Sequence, residues 1–153
     1  MPTDISTNKT GFQGLSYTLT ALPVLPFLVL DGFTEEGVTW DDIEPATVKV
    51  GADGLTAVVQ KPVTYQGTFS LMANSAARNA LDAFIAATTP AFGKGLLDYE
   101  LILTETNEMT GMKTVYSKGA ITSANGGNTA NMNDGQGAKT YRMTFGNRIM
   151  SPI

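Results

Sequence analysis

The sequence predicts a mainly β domain, a sandwich or barrel of about seven strands with one packed α-helix over residues 75–88. Three observations predict it. Short segments alternate apolar and polar side chains with period two, only one stretch carries helical spacing, and turns rich in Gly, Asn and Asp separate the segments. A lone helix among strands has only a sheet to pack against.

Residues 1–20 are rich in Thr, Ser, Gly and Asn and read as an extended arm or a loosely held first strand, with the β domain proper at 21–153. Residues 24–33 read as a short buried strand, bent by Pro26 and ended by Asp31-Gly32. The stretch 31–44 holds six carboxylates (Asp31, Glu35, Glu36, Asp41, Asp42, Glu44) and no Lys or Arg, and its Gly37 and Pro45 suit a surface loop. Thr47-Val48-Lys49-Val50 and Leu55-Thr56-Ala57-Val58-Val59 flank Gly51-Ala52-Asp53-Gly54, a hairpin with a four-residue loop. Tyr65, Gly67, Phe69 and Leu71 then alternate with Gln66, Thr68 and Ser70.

The helix follows. Asn74 or Ser75 can cap it, Ala77, Ala80, Leu81, Phe84, Ile85 and Thr88 keep helical spacing, and Pro90 stops it. Beyond it, Leu97, Tyr99, Leu101 and Leu103 share one face of a strand, and 112–122 is a weaker strand. Tyr141, Met143 and Phe145 lie opposite Thr140, Arg142 and Thr144 in the last. Residues 123–138 hold four Asn and four Gly in sixteen and read as a long flexible loop between strands.

Composition narrows function. The 153 residues carry a net charge of −4, and only 16% are charged, so much of the surface is neutral and polar. There is no Cys and no His, which removes disulfides, thiolate nucleophiles, the commonest general base and the commonest metal ligand. The acidic balance argues against gripping nucleic acid or anionic membranes through Lys and Arg. The apolar run 21–30 is too short to span a bilayer and too late for a signal peptide, so a soluble intracellular protein is expected.

The motifs that tempt a catalytic reading lack geometry. The acidic stretch lacks calcium-loop spacing, and Asn131-Met132-Asn133-Asp134-Gly135 lacks the closing Glu. Glu100 and Glu105 have nothing to fix them as a glycosidase pair, and Gly93-Lys94-Gly95 is not a phosphate loop. Ser117 and Lys118, adjacent on a strand, point to opposite faces. The expectation is a protein that is not an enzyme, with no catalytic, metal or cofactor-binding residue and no cofactor.

Three patterns, in this order, carry a resemblance. They are Leu28-Val29-Leu30-Asp31-Gly32-Phe33 with Glu35-Glu36 and Trp40-Asp41-Asp42; Gly51-Ala52-Asp53-Gly54 leading to Val63-Thr64-Tyr65-Gln66-Gly67-Thr68-Phe69-Ser70-Leu71; and Asn74-Ser75-Ala76-Ala77-Arg78-Asn79-Ala80-Leu81. Together they span most of 24–148, and the chain resembles the tail tube proteins of contractile-tailed bacteriophages. The resemblance implies homohexameric rings stacked into a hollow tube in the virion tail, assembled in the host cytoplasm. It implies sheath, baseplate and terminator proteins as partners, DNA passing through without specific binding, and no membrane.

The polar sides of strands 64–70, 98–104 and 140–144 are then candidates for the channel wall. The loop 123–138 and the arm 1–20 are candidates for contact between rings. An acidic balance suits a wall that DNA slides past, because like charge prevents adhesion. The alternatives are the inner tube of a bacteriocin or type VI-like injection system, and a monomeric ligand-binding β-sandwich.

Overall fold

The computed structural model describes residues 14–22, 25–88, 99–128, 130–132 and 135–153. In chain order the elements are β1 (Leu15–Leu22), β2 (Leu25–Val29), β3 (Phe33–Trp40), β4 (Ala46–Val50), β5 (Thr56–Gln60), β6 (Tyr65–Leu71) and α1 (Ala76–Thr88). After them come β7 (Glu100–Asn107), β8 (Met112–Ala124), β9 (Ala130–Asn131), β10 (Gly135–Gln136) and β11 (Lys139–Pro152). Seven strands form one antiparallel sheet in the order β2-β1-β7-β8-β11-β6-β3, and β4-β5 and β9-β10 pair separately. Among the described residues the chain forms the predicted β class with one packed helix, the sheet rolled into a curled half-barrel. The roll is visible in the rings. Phe33 on the last strand of the sheet meets Tyr17 of β1 at 5.9 Å and Phe69 of β6 at 6.0 Å, both edge-on.

Alternation decides which side is core. Leu19, Ala21, Leu101, Leu103, Phe69, Leu71, Tyr141, Met143 and Phe145 are all buried on one face of the sheet, and α1 covers them with Ala77, Leu81 and Phe84. Each such large side chain contributes roughly 1.5–3 kcal/mol by leaving water. Ser75 is the residue that caps α1: its Oγ accepts the Arg78 amide at 3.2 Å and donates to the Asp31 carbonyl at 2.8 Å. That contact leaves no room for a side chain at residue 32. Gly32 has φ +72° and its position faces the Ser75 side chain directly. Phe84 meets Tyr99 edge-on at 4.9 Å.

Several expectations change. The acidic stretch is not all loop, because 33–40 forms β3. As an edge strand it can turn Glu35 and Glu36 to solvent while Val38 packs inward, so its carboxylates carry no desolvation cost. Gly37 at φ +61° sits where the register slips between Phe33 and Val38. Residues 25–29 form the opposite edge rather than a buried strand, and Phe27 and Val29 are exposed. An edge tolerates Pro26, which has no amide proton to donate.

Residues 15–22 are no loose strand. β1 lies between β2 and β7 with Tyr17, Leu19 and Ala21 buried, so the sheet begins within the segment read as an arm. The strand read as weak, β8, runs 13 residues between β7 and β11. Its alternation is blurred because Lys118, at φ 55°, takes up a bulge. β11 continues past Phe145 to Pro152, paired with β8 throughout. The start of the arm (1–13), Phe12, Val24, Pro90, Phe92, Gly93-Lys94-Gly95 and Leu97 lie outside the described residues.

Candidate functional site

The core face takes most of the apolar side chains, and the opposite face carries many hydroxyls, with Ile102, Val115, Ile149 and Lys113 among them. Register places Thr18 beside Thr104, Thr140 beside Ser70, and Thr39 and Arg142 on either side of Thr68. Ser70 Oγ and Thr140 Oγ1 lie 2.8 Å apart, and Thr122 Oγ1 and Thr144 Oγ1 lie 3.2 Å apart, cross-strand hydroxyl pairs that stitch the face. The polar sides of 64–70, 100–104 and 140–144, candidates for the channel wall, lie on this one surface of the sheet, and Asp98 lies outside the described residues. Arg142 stands in its middle, and its guanidinium donates to the Asp41 carboxylate and the Gln66 side-chain oxygen. The other carboxylates of 31–44 are not on the hydroxyl strands. Asp31, Glu35, Glu36, Asp42 and Glu44 belong to β3 and its flanking turns, so the acidic balance is concentrated along one edge of the sheet.

The second feature is the β4-β5 hairpin. Asp53 and Gly54 close its turn, with the Leu55 amide donating to Asp53 Oδ1 at 3.0 Å and Gly54 at φ +81°. Pairing of Val48 with Val58 and of Val50 with Thr56 puts the three valines on one side of the ribbon. They are 61%, 64% and 69% exposed in the order Val48, Val58, Val50, and Leu55 at the turn is 71% exposed. A two-stranded ribbon is marginal alone, and an uncovered apolar side marks a contact surface.

The third is an open groove of about 690 Å³ between α1 and the end of β8, lined by Asp82, Ile85, Ala86, Ile121, Thr122, Ser123, Ala124, Asn125, Gly126 and Lys139. Asp82 is engaged on both oxygens, by Lys139 Nζ at 3.0 Å and by the Tyr141 hydroxyl. Burial first, then that hydrogen bond, hold Tyr141 protonated well above the usual tyrosine range. Beside it Arg78 is buried and spans the long loop, donating to the Gly137 carbonyl at 2.9 Å and to Asn128 Oδ1 at 3.0 Å. The segment read as flexible is therefore tied to the helix near both of its ends. Nothing in the spacing of Arg78 signalled this, since its partners lie 50 and 59 residues away.

The residues considered for catalysis do not converge. Glu100 accepts the Lys118 amide at 3.1 Å. Glu105 lies with Tyr17 and Tyr116, whose hydroxyls are held protonated by burial first and by that carboxylate second. Asn131-Met132-Asn133-Asp134-Gly135 falls partly outside the described residues. Among the described residues no three Asp or Glu side chains are grouped to hold a metal ion, and no helix is long and apolar enough to cross a membrane.

A family model described as tail fiber protein gp32 matches residues 4–149. No curated protein sequence matches. Among solved structures, the fold is similar to that of the tube terminating cap of the anti-feeding prophage, at 14% identity and TM-score 0.56, covering 100% of this chain and 94% of that one. It is similar to a chain of the PVC sheath-tube complex of an extracellular contractile injection system in the extended state, at 10% identity and TM-score 0.57, covering 98% and 100%. The sheath/tube terminator of the same system gives 10% identity and TM-score 0.54, over 88% and 92%.

Proposed function

The chain belongs to the tail fiber protein gp32 family, a tail-associated structural protein of phage type, and on that premise we propose that its copies close into homohexameric rings stacked into the hollow tail tube through which DNA is ejected. The observation that carries this reading is the uncovered hairpin. Because β3 ends at Trp40 and β6 starts at Gly67's end of their pairing, β4-β5 leaves the sheet at one end of its strands. The helix and the 123–138 loop follow Leu71 and Ala124, at the other end. Two unlike ends, one of them carrying Val48, Val50 and Val58 bare, suit head-to-tail stacking, which does not close on itself.

Ring closure is supported by the two edges of the sheet. β2 and β3 are the two outer strands of the sheet, and their backbone groups can pair across a subunit boundary so that the sheet continues from one copy into the next. In this reading the loop 123–138 and the part of the 1–20 arm that precedes β1 add contacts between rings, sheath, baseplate and terminator proteins are the further partners, and no residue has a catalytic role. The protein is then a component of the virion tail, assembled in the host cytoplasm.

The test is Val58→Asp, an exposed substitution that leaves the sheet intact. Electron microscopy of the purified wild type should show tubes, and of the variant only single rings or smaller species. Tubes of ordinary length from the variant would overturn the stacking role of the hairpin. The shared fold with sheath-tube chains favours one second reading, the inner tube of a contractile injection system, which differs in holding no genome. A wild type that stays monomeric at every concentration would overturn both.

A further inference from the structure

We infer that the open half of β11, residues 147–152, takes β2 of a second copy as a parallel strand, with Val29 of one subunit beside Ile149 of its neighbour. The inference rests on the ring reading for its setting and names the junction at which a ring would close. β11 is a central strand along only part of its length. β6 pairs with residues 139–145 and stops at Tyr65, where the chain leaves for the hairpin, whereas β8 stays paired as far as Pro152. Among the described residues no strand lies on the other side of 147–152. Such an edge offers its N–H and C=O groups to an added strand. Its side chains are bare as well, with Ile149 57% and Met150 56% exposed. The nearby charge of Arg148 is drawn aside, over the Tyr65 ring at 4.8 Å.

Register identifies the occupant. One row across the sheet runs Val29, Thr18, Thr104, Val115 and Ile149, passing through β2, β1, β7, β8 and β11 in turn. It begins and ends in an apolar side chain on the same face, and Val29 is 47% exposed. Phe27, two residues before Val29 and so on that face too, is also exposed. A rotated copy can lay the start of its row against the end of this one, which pairs both open edges and covers these apolar groups together. Direction agrees. Four antiparallel steps separate β2 from β11, so the two strands run the same way, and rotation about an axis along the strands keeps that sense. The junction is therefore parallel and joins unlike edges, the kind that repeats around a ring. β3 stands at another level, aligned through β6 with Lys139 to Met143, and leaves 147–152 clear.

The experiment is cysteine cross-linking, free of background because the chain has no Cys. Val29→Cys, Ile149→Cys and the double variant, all at exposed positions, are oxidised after assembly and run on non-reducing gels, with electron microscopy of the wild type alongside. Within one chain the two positions are four strand spacings of about 4.8 Å apart, too far for a disulfide. The double variant should give a ladder of covalent species up to the hexamer. An equimolar mixture of the single variants should give a dimer and nothing larger, and each single variant alone should stay monomeric. A single variant that dimerises by itself would overturn the inference, because like edges would then be meeting. Rings in the micrographs without a ladder would also overturn it, and would leave the ring reading in place. A ladder from the double variant when the wild type forms no rings or tubes would keep the junction and remove the ring. Neither ladder nor rings would remove both.

Discussion

At the scale of single residues the core sets the largest effects. Phe84 is 4% exposed and packs edge-on against Tyr99, so Phe84→Ala should lower unfolding stability by about 3–5 kcal/mol in denaturant titrations. A loss below about 1 would mean that the helix face is not packed as described. Gly119 is a second such point. A Cβ there would intrude on the Phe145 ring and the Thr144 carbonyl, so Gly119→Ala should cost about 1–3 kcal/mol. The tyrosines give a pH signature. Tyr17, Tyr116 and Tyr141 are all raised above the unfolded value of about 10, so the folded state binds their protons more tightly than the unfolded chain does. The stability they contribute is complete below pH 10 and is lost as pH rises beyond it. Absorbance at 295 nm should therefore show these three ionising only with unfolding, and Tyr17→Phe should flatten the alkaline fall in stability. Helical spacing makes Phe84 readable as buried and alternation does the same for Tyr141, whereas Tyr17, in a segment that reads as an arm, and Tyr116, in a strand that reads as weak, are buried without such a signal. The pairing of Arg142 with Asp41, and of Tyr141 with Asp82, was not readable, because each joins residues far apart in the chain.

At the scale of elements, helix α1, strand β6 and the β4-β5 hairpin fall where period and turn chemistry place them, to within a residue or two. They are the segments whose local preference and tertiary environment agree. β3 does not show as a strand in the sequence because charge density hides an edge strand. β8 was read as weak because the Lys118 bulge breaks its period in the middle. The 123–138 loop shows the opposite case, a segment of disordered-looking composition held from outside. Arg78→Met should keep the helix by circular dichroism but lower stability by about 1–3 kcal/mol, since two partly buried charge-assisted bonds go. Hydrogen exchange should rise selectively at 125–128 and 135–138. Uniform exchange along the chain would mean that Arg78 supports the fold generally and does not fasten the loop.

At the scale of the whole molecule, one chain buries one face of a seven-stranded sheet under one helix and leaves two edges and a hairpin uncovered. Association that covers them stabilises the folded state by mass action, so the melting temperature should rise with protein concentration for the wild type. It should rise less for Val58→Asp, measured by scanning calorimetry over about a hundredfold range. A melting temperature independent of concentration would mean that these surfaces stay bare. The sequence by itself determined the β class, helix α1 and its buried stripe, because side-chain period follows directly from backbone geometry. The absence of His and Cys likewise narrowed the chemistry before any fold was known. Only the tertiary structure decided which strands stand at the edges, that the acidic stretch is one of them, that Arg78 fastens the long loop, and that Arg142 is paired with Asp41. Those facts depend on strand order and on contacts between residues dozens of positions apart, and no local pattern encodes strand order.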